Sequence, residues 1–208
     1  MPLGASITSG QGSSTGNGYR QDLANLLEPN GNDVSFVGTQ KRGDSSHEGY
    51  PGYTISEVDD ALSSSGGYDY IPNVILINVG TNDCGYKKTN PDAAPGDMAN
   101  LLGHIKENDP DALVVVSSLL PNGDQDTDDC IRTLNPKLEK VTQEAGAGGQ
   151  KTAFVDMYDA VPKSDLNDDG THPNDDGFAK MAKVWYDGIV GAGDLISKPD
   201  PNGKPAPQ

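Results

Sequence analysis

The chain has no apolar run approaching the ~18 residues of a membrane span, few basic residues and only two cysteines in 208 positions. The first absence excludes a spanning helix, and no membrane partner is expected. Fifteen basic residues against 31 acidic ones leave a formal charge of −16. That field repels phosphate backbones and anionic bilayers, so nucleic acid is not an expected partner. Neutral substrates such as polysaccharides are tolerated, and the same acid also serves as a solubilising surface. Cys84 and Cys130 can form at most one bridge, each read as lying in a loop after a predicted strand. A disulfide is expected, stabilising by roughly 2–4 kcal/mol; it implies secretion, whereas two separate thiols would fit a reducing cytosol.

Several signatures are missing. There is no signal peptide, yet Met1-Pro2-Leu3 reads as the end of a strand, so upstream residues, any secretion signal included, are expected beyond this chain. There is no Gly-x-Ser-x-Gly, which excludes the nucleophile elbow of α/β-hydrolases. Gly10-Gln11-Gly12 begins a dinucleotide fingerprint, but Thr15 stands where its third glycine belongs and Gly16 comes one place late. No internal repeat is present.

What is present is alternation. Hydrophobic residues make up 34%, low but sufficient for one core. Val74–Val79, Leu113–Val116 and Thr152–Val155 read as buried parallel strands. The shorter Val34–Val37 and the stub ending at Leu3 bring the expected count to five. Between them, Met98, Leu101, Leu102 and Ile105 keep helical spacing, as do Phe178, Met181, Ala182, Trp185 and Ile189. Leu134, Leu138 and Val141 suggest another helix, with Pro136 in its first turn or at a kink, and a further helix is read near Tyr19 to Leu27. This order predicts an α/β fold: a parallel sheet covered on both faces, with ligands bound beyond the strands' carboxyl ends. The domain is read as 1–197. From Lys198 the chain holds four prolines and no aliphatic residue larger than Ala, so 198–208 is expected to be a disordered tail or linker.

Four short blocks carry chemistry: Gly4-Ala5-Ser6, Gly52, Gly80-Thr81-Asn82-Asp83, and Asp169-Gly170-Thr171-His172-Pro173. Ser6 follows the first strand and can present a nucleophilic hydroxyl; it also reads as a helix cap or loop serine. Of three histidines, His172 is the best base, since His47 reads as loop and His104 as helix, without a carboxylate suitably placed. Asp169, three residues before His172 with Gly170 between, can orient the imidazole and stabilise its cation; the bland alternative is an Asp-rich turn. Asp165 to Gly170 also matches the first half of a calcium loop, but position twelve is Asp176 rather than Glu and no flanking helix pair is evident. Asn82 can donate its amide to an oxyanion, or merely make a turn. Gly52 can offer a bare backbone N–H. Ser6, Asn82, Asp169 and His172 all follow predicted strands, so they converge on one edge of the sheet.

In this order the blocks resemble the SGNH (GDSL-like) hydrolases, and among them most closely carbohydrate esterase family 3, which includes acetyl xylan esterases. The resemblance covers Pro2 to Gly4, Gly18 to Arg20, Gly49 to Ile55, Ile77 to Asp83 and Gly170 to Asn174. It implies a flavodoxin-like three-layer α/β/α sandwich with a five-stranded parallel sheet. It implies a metal- and cofactor-independent serine esterase with Ser6 as nucleophile, Asp169 and His172 as acid–base pair, and the Ser6 N–H, Gly52 N–H and Asn82 side chain as oxyanion donors. The expected protein is a secreted monomer that removes acetyl groups from acetylated poly- or oligosaccharide. Lipid esterases, lysophospholipases and thioesterases of the superfamily are the enzymatic alternatives; a catalytically weak carbohydrate-binding relative is the other. One departure stands out: the usual Gly-Asp-Ser reads Gly-Ala-Ser here, so whatever that aspartate organises is missing.

Overall fold

Strand pairing begins at the first residue. In the computed structural model, which describes residues 1–85 and 90–206, Met1 already exchanges backbone hydrogen bonds with Val74 and Leu76. The chain then runs β1 (Pro2–Gly4), α1 (Ser6–Ser9), α2 (Arg20–Leu27), β2 (Gln40–Arg42), β3 (Ser45–Gly49), α3 (Ile55–Ser65) and β4 (Val74–Asn78). It continues through α4 (Thr81–Cys84), α5 (Ala94–Asn108), β5 (Leu113–Ser117), α6 (Gln125–Ala147), β6 (Thr152–Val155) and α7 (Asp175–Gly191).

The sheet order is β2-β3-β1-β4-β5-β6. Five neighbouring strands are parallel, and β2 adds a short antiparallel edge against β3. The parallel five follow the doubly wound order in which the chain leaves β1 first one way, to β3, and then the other, to β4. Ligands of such sheets bind where the order reverses, beyond the carboxyl ends of those strands. Alternate strand residues point to opposite faces. Leu3, Ile75, Ile77, Val114 and Val116 pack under α3, α5 and α6. Leu76, Leu113 and Val115 pack with Leu23 of α2 and with Phe178, Met181 and Trp185 of α7. This is the expected three-layer sandwich.

Two expectations needed correction. Val34–Val37 forms no strand, although Phe36 and Val37 pack against the two apolar layers. Its place beside β1 is taken by the polar β3, where Leu3 pairs with Glu48. Hydrogen bonds offset much of the cost of burying polar residues there, although His47 Nε2 is buried without a partner among the described residues. Glu48 accepts from the Thr39 and Tyr50 hydroxyls, and His47 Nδ1 accepts the Gly49 N–H at 3.0 Å. Of the two readings of Pro136, the first-turn one is also corrected: the residue lies inside α6, well past that turn. It is solvent-exposed, where water can meet the Arg132 carbonyl that loses its helical donor.

Beyond α7 the chain holds no further strand or α-helix among the described residues. Within the 198–208 segment, the Lys204 N–H bonds the Asp69 carbonyl at 2.9 Å and its ammonium meets the Asp69 carboxylate at 2.7 Å.

Candidate active site

β1 stops at Gly4, whose φ of +158° and lack of a side chain are both required. A Cβ there would stand 2.1 Å from the Asn78 carbonyl oxygen at the end of β4. Ala5 turns inward and is buried in the apolar layer. α1 then starts at Ser6, so its hydroxyl stands at the sheet's carboxyl edge. Arg20, fully buried, fixes this turn by donating to the Thr8 carbonyl at 2.6 Å, the Gly16 carbonyl at 3.1 Å and the Arg42 carbonyl at 2.8 Å.

The loop between β6 and α7 brings His172 to Ser6 across 166 positions of sequence. His172 Nε2 lies 2.8 Å from Ser6 Oγ, and its Nδ1 lies 2.7 Å from Asp169 Oδ2. The other Asp169 oxygen accepts the N–H groups of Thr171 at 2.9 Å and His172 at 3.0 Å. Partial desolvation pushes the Asp169 carboxyl up, but the hydrogen bonds from His172 and Thr171 outweigh it and hold the group below the usual carboxylate range. An ionised Asp169 therefore faces Nδ1, which fixes the tautomer with Nε2 free to accept from the serine. His172 keeps only 12% of its side-chain surface exposed and Asp169 keeps 50%, so the ring is held by its surroundings as well as by the carboxylate.

Gly52 and Asn82 complete the same cavity of about 550 Å³, together with Gln11, Tyr53 and Thr171. Gly52 has φ +82° and open space around a notional Cβ, so its backbone conformation rather than crowding calls for glycine. Among the described residues, no protein acceptor takes the N–H of Ser6 or Gly52. Asn82 Nδ2 donates one hydrogen to the Tyr53 carbonyl at 2.8 Å, leaving the second for a ligand. Next to it, buried Asp83 accepts the Ile55 N–H at the start of α3 at 3.2 Å. Burial raises the Asp83 carboxyl to about 6 against that bond. Cys84 and Cys130 are joined by a disulfide, but both lie on helices, α4 and α6, rather than in loops.

Several roles were invisible in the sequence. Asn167 donates Nδ2 to the carbonyls of Gly12 at 3.2 Å, His172 at 3.2 Å and Pro173 at 2.9 Å, stitching the loop after α1 to the histidine loop. Asn122, held by Asp128, gives its amide to Thr171 Oγ1 at 3.1 Å. The residues of the calcium-like stretch face separate partners: Asp165 pairs with Lys180, Asn167 with carbonyls, and Asp169 with His172. His104 does have a carboxylate, Asp59 of α3 at 2.8 Å, a pairing from a distant helix that local spacing could not reveal. His47 is buried in β3, where desolvation lowers its imidazole to about 3. Neither histidine lines the Ser6 cavity.

The arrangement supports acyl transfer: a hydroxyl hydrogen-bonded to an imidazole, a carboxylate orienting that imidazole, and donors around one cavity. The profile of the GDSL-like Lipase/Acylhydrolase family matches residues 3–180. A family 3 carbohydrate esterase of Clostridium thermocellum superimposes with a TM-score of 0.79 at 27% identity, covering 95% of this chain and 98% of that one. One from Talaromyces cellulolyticus has the same fold, with a TM-score of 0.80 at 22% identity over 95% and 98% of the two chains. A "Multidomain esterase" of Ruminococcus flavefaciens is 29% identical over 224 residues, covering 92% of this chain. The chain spans 28% of that relative's length.

Proposed function

The chain belongs to the GDSL-like lipase/acylhydrolase family, and we propose that within it the protein is a serine esterase removing acetyl groups from acetylated carbohydrate such as acetyl xylan. The observation that carries the reading is the continuous line Asp169–His172–Ser6, at 2.7 and 2.8 Å, opening into a cavity lined by Gly52 and Asn82.

In the proposed cycle His172 Nε2 takes the Ser6 proton as Oγ attacks the ester carbonyl carbon. Charge on the carbonyl oxygen is met by the N–H groups of Ser6 and Gly52 and by the Asn82 amide. Asp169 stabilises the imidazolium. The imidazolium then protonates the departing sugar hydroxyl, and the acetyl group stays on Ser6. Water, deprotonated by His172, attacks that ester, and collapse returns Ser6 and releases acetate. Every proton moves between Ser6, His172, water and the substrate, so the cycle as written calls on no cofactor, and one chain supplies every group.

Ala5 leaves the bond between Ser6 and His172 in place, which favours turnover over glycan binding alone. The −16 charge favours a neutral polymer over an anionic surface, and the disulfide favours action outside the cytoplasm. We assign the esterase domain to 1–197, with 198–208 as a Pro-rich extension.

Acetate release from acetylated xylan and from simple sugar acetates tests the reading, beside an acyl-length series of esters. A sharp preference for acetyl is expected, and Ser6→Ala should lose at least ~10³-fold in kcat. A fluorophosphonate should label Ser6. A Ser6→Ala variant that kept its rate would falsify the nucleophile, and a preference for long acyl chains would move the substrate to lipid.

A further inference from the structure

We propose that the Gln11 carboxamide recognises the sugar hydroxyl next to the scissile acetyl ester, so that the enzyme selects esters of polyols over esters of simple alcohols. The inference rests on the acetyl-sugar reading of the site and adds to it the side chain that reads the alcohol half of the substrate.

Gln11 lines the cavity that holds Ser6, Gly52, Asn82 and His172, and its backbone sets its place there. Its N–H donates to the carbonyl of Ser6 itself at 3.0 Å. The next residue, Gly12, lies so close to the histidine loop that a Cβ would stand 2.9 Å from His172 Cβ. The Gly12 carbonyl accepts from Asn167 of that loop at 3.2 Å. Gln11 is thus anchored on one side to the residue that carries the nucleophile and on the other to the loop that carries the base.

The side chain itself is uncommitted. It is half-buried, and among the described residues no protein group exchanges a hydrogen bond with its carboxamide. The other polar side chains of the cavity are held: Asn82 by the Tyr53 carbonyl, Thr171 by Asn122, and His172 between Ser6 and Asp169.

The chemistry of a free carboxamide selects a hydroxyl. Two N–H donors and a carbonyl acceptor match a group that both accepts and donates. The amide is neutral, so it offers an anionic ligand no charge to pair with. Pro51 is the one aliphatic side chain among the described residues lining the cavity, whereas a long acyl or alkyl chain wants a concave apolar wall. Position agrees with chemistry. In an acetylated sugar, the ester and the neighbouring hydroxyl stand on adjacent ring carbons, so the group that reads the hydroxyl has to sit beside the nucleophile. Gln11, hydrogen-bonded to Ser6, does.

The test is a cycle between side chain and substrate. It compares kcat and KM of the wild type, Gln11→Met and Gln11→Ala on trans-2-hydroxycyclohexyl acetate and on cyclohexyl acetate, which differ by one hydroxyl. Methionine keeps the length of the side chain and loses the amide. The wild type should prefer the hydroxy ester about fivefold in kcat/KM, the worth of one net hydrogen bond, and chiefly through KM. Both variants should abolish that preference. A preference that survives both substitutions, or losses equal on the two esters, overturns the assignment and leaves Gln11 as a brace of the Ser6 turn. A wild type indifferent to the hydroxyl overturns it as well, while the sugar reading stands if acetylated xylo-oligosaccharide is cleaved. A wild type that cleaves cyclohexyl acetate but no acetylated sugar overturns the sugar reading and the role of Gln11 together, and the esterase assignment remains.

Discussion

Asn82 gives one of its two amide hydrogens to the Tyr53 carbonyl at 2.8 Å, so the loop after β3 orients a side chain of α4, the short helix that follows β4. The free hydrogen then faces a fixed direction without reorganisation during the reaction. Asn82→Ala should lower kcat by ~10²–10³ with little change in KM, as expected for a donor engaged mainly in the transition state. Steady-state kinetics on an acetyl ester decide it. A loss confined to KM would assign Asn82 to ground-state binding instead.

The disulfide bears on the same donor. Cys84 lies two residues beyond Asn82 and ties α4 to α6 across 46 positions. Closing a loop of that length stabilises by about 4 kcal/mol in the chain-entropy account. Reduction, or paired Cys84→Ser and Cys130→Ser substitution, should lower the urea midpoint accordingly. Activity at 25 °C, where the reduced chain remains folded, should fall less than in Asn82→Ala. An unchanged midpoint after verified reduction would show that the bond contributes nothing to stability.

Much of this architecture was legible because it is apolar. Val74 to Val79, Leu113 to Val116 and the Trp185 helix announced themselves by β-branched runs and helical spacing. β3 did not, since its Ser46, His47 and Glu48 are polar yet buried, and Glu48 is met there by the Thr39 hydroxyl, a pairing that no apolar pattern reveals. The apolar Val34–Val37 was read as a strand in its stead. At the site, Asp169 and His172 were legible from their short spacing. Their meeting with Ser6 depended on strand order, and the Asn167 and Asn122 supports depended on loop contacts that no local pattern encodes.

Asp83 predicts a stability that rises on mild acidification. Its folded value is raised to about 6 from the ordinary 3.8, chiefly by burial. Above pH 6 both folded and unfolded chains carry the charge, and the folded chain bears the cost of burying it. Between pH 6 and 3.8 the folded chain binds a proton that the unfolded chain does not, so the free energy of unfolding increases as pH falls. From pH 7.5 to 5 the gain is about 1 kcal/mol. Asp109 is raised to about 6 as well, so the contribution of Asp83 is read as the difference between wild type and Asp83→Asn in urea unfolding at the two pH values. Identical pH dependence in both proteins would remove Asp83 from the account.

Arg20 should matter to the site without touching it. Its guanidinium is fully buried and satisfied by the carbonyls of Thr8, Gly16 and Arg42 and by the Ser45 hydroxyl at 2.7 Å. Burial lowers its value to about 10, which still leaves it cationic at neutral pH. Arg20→Met removes five donors; it strands the Thr8 carbonyl in the interior and takes a partner from the less buried carbonyls of Gly16 and Arg42. A loss of about 2–3 kcal/mol in unfolding free energy is therefore expected. Arg20→Lys restores the charge but not the planar fork, and should recover only part of it. Because Thr8 belongs to α1, which begins at Ser6, the same substitutions should slow turnover under conditions where the protein is folded. Circular dichroism through a urea titration, paired with kcat at low denaturant, separates the two effects. A stable, fully active Arg20→Met would show that the turn carrying Ser6 holds itself.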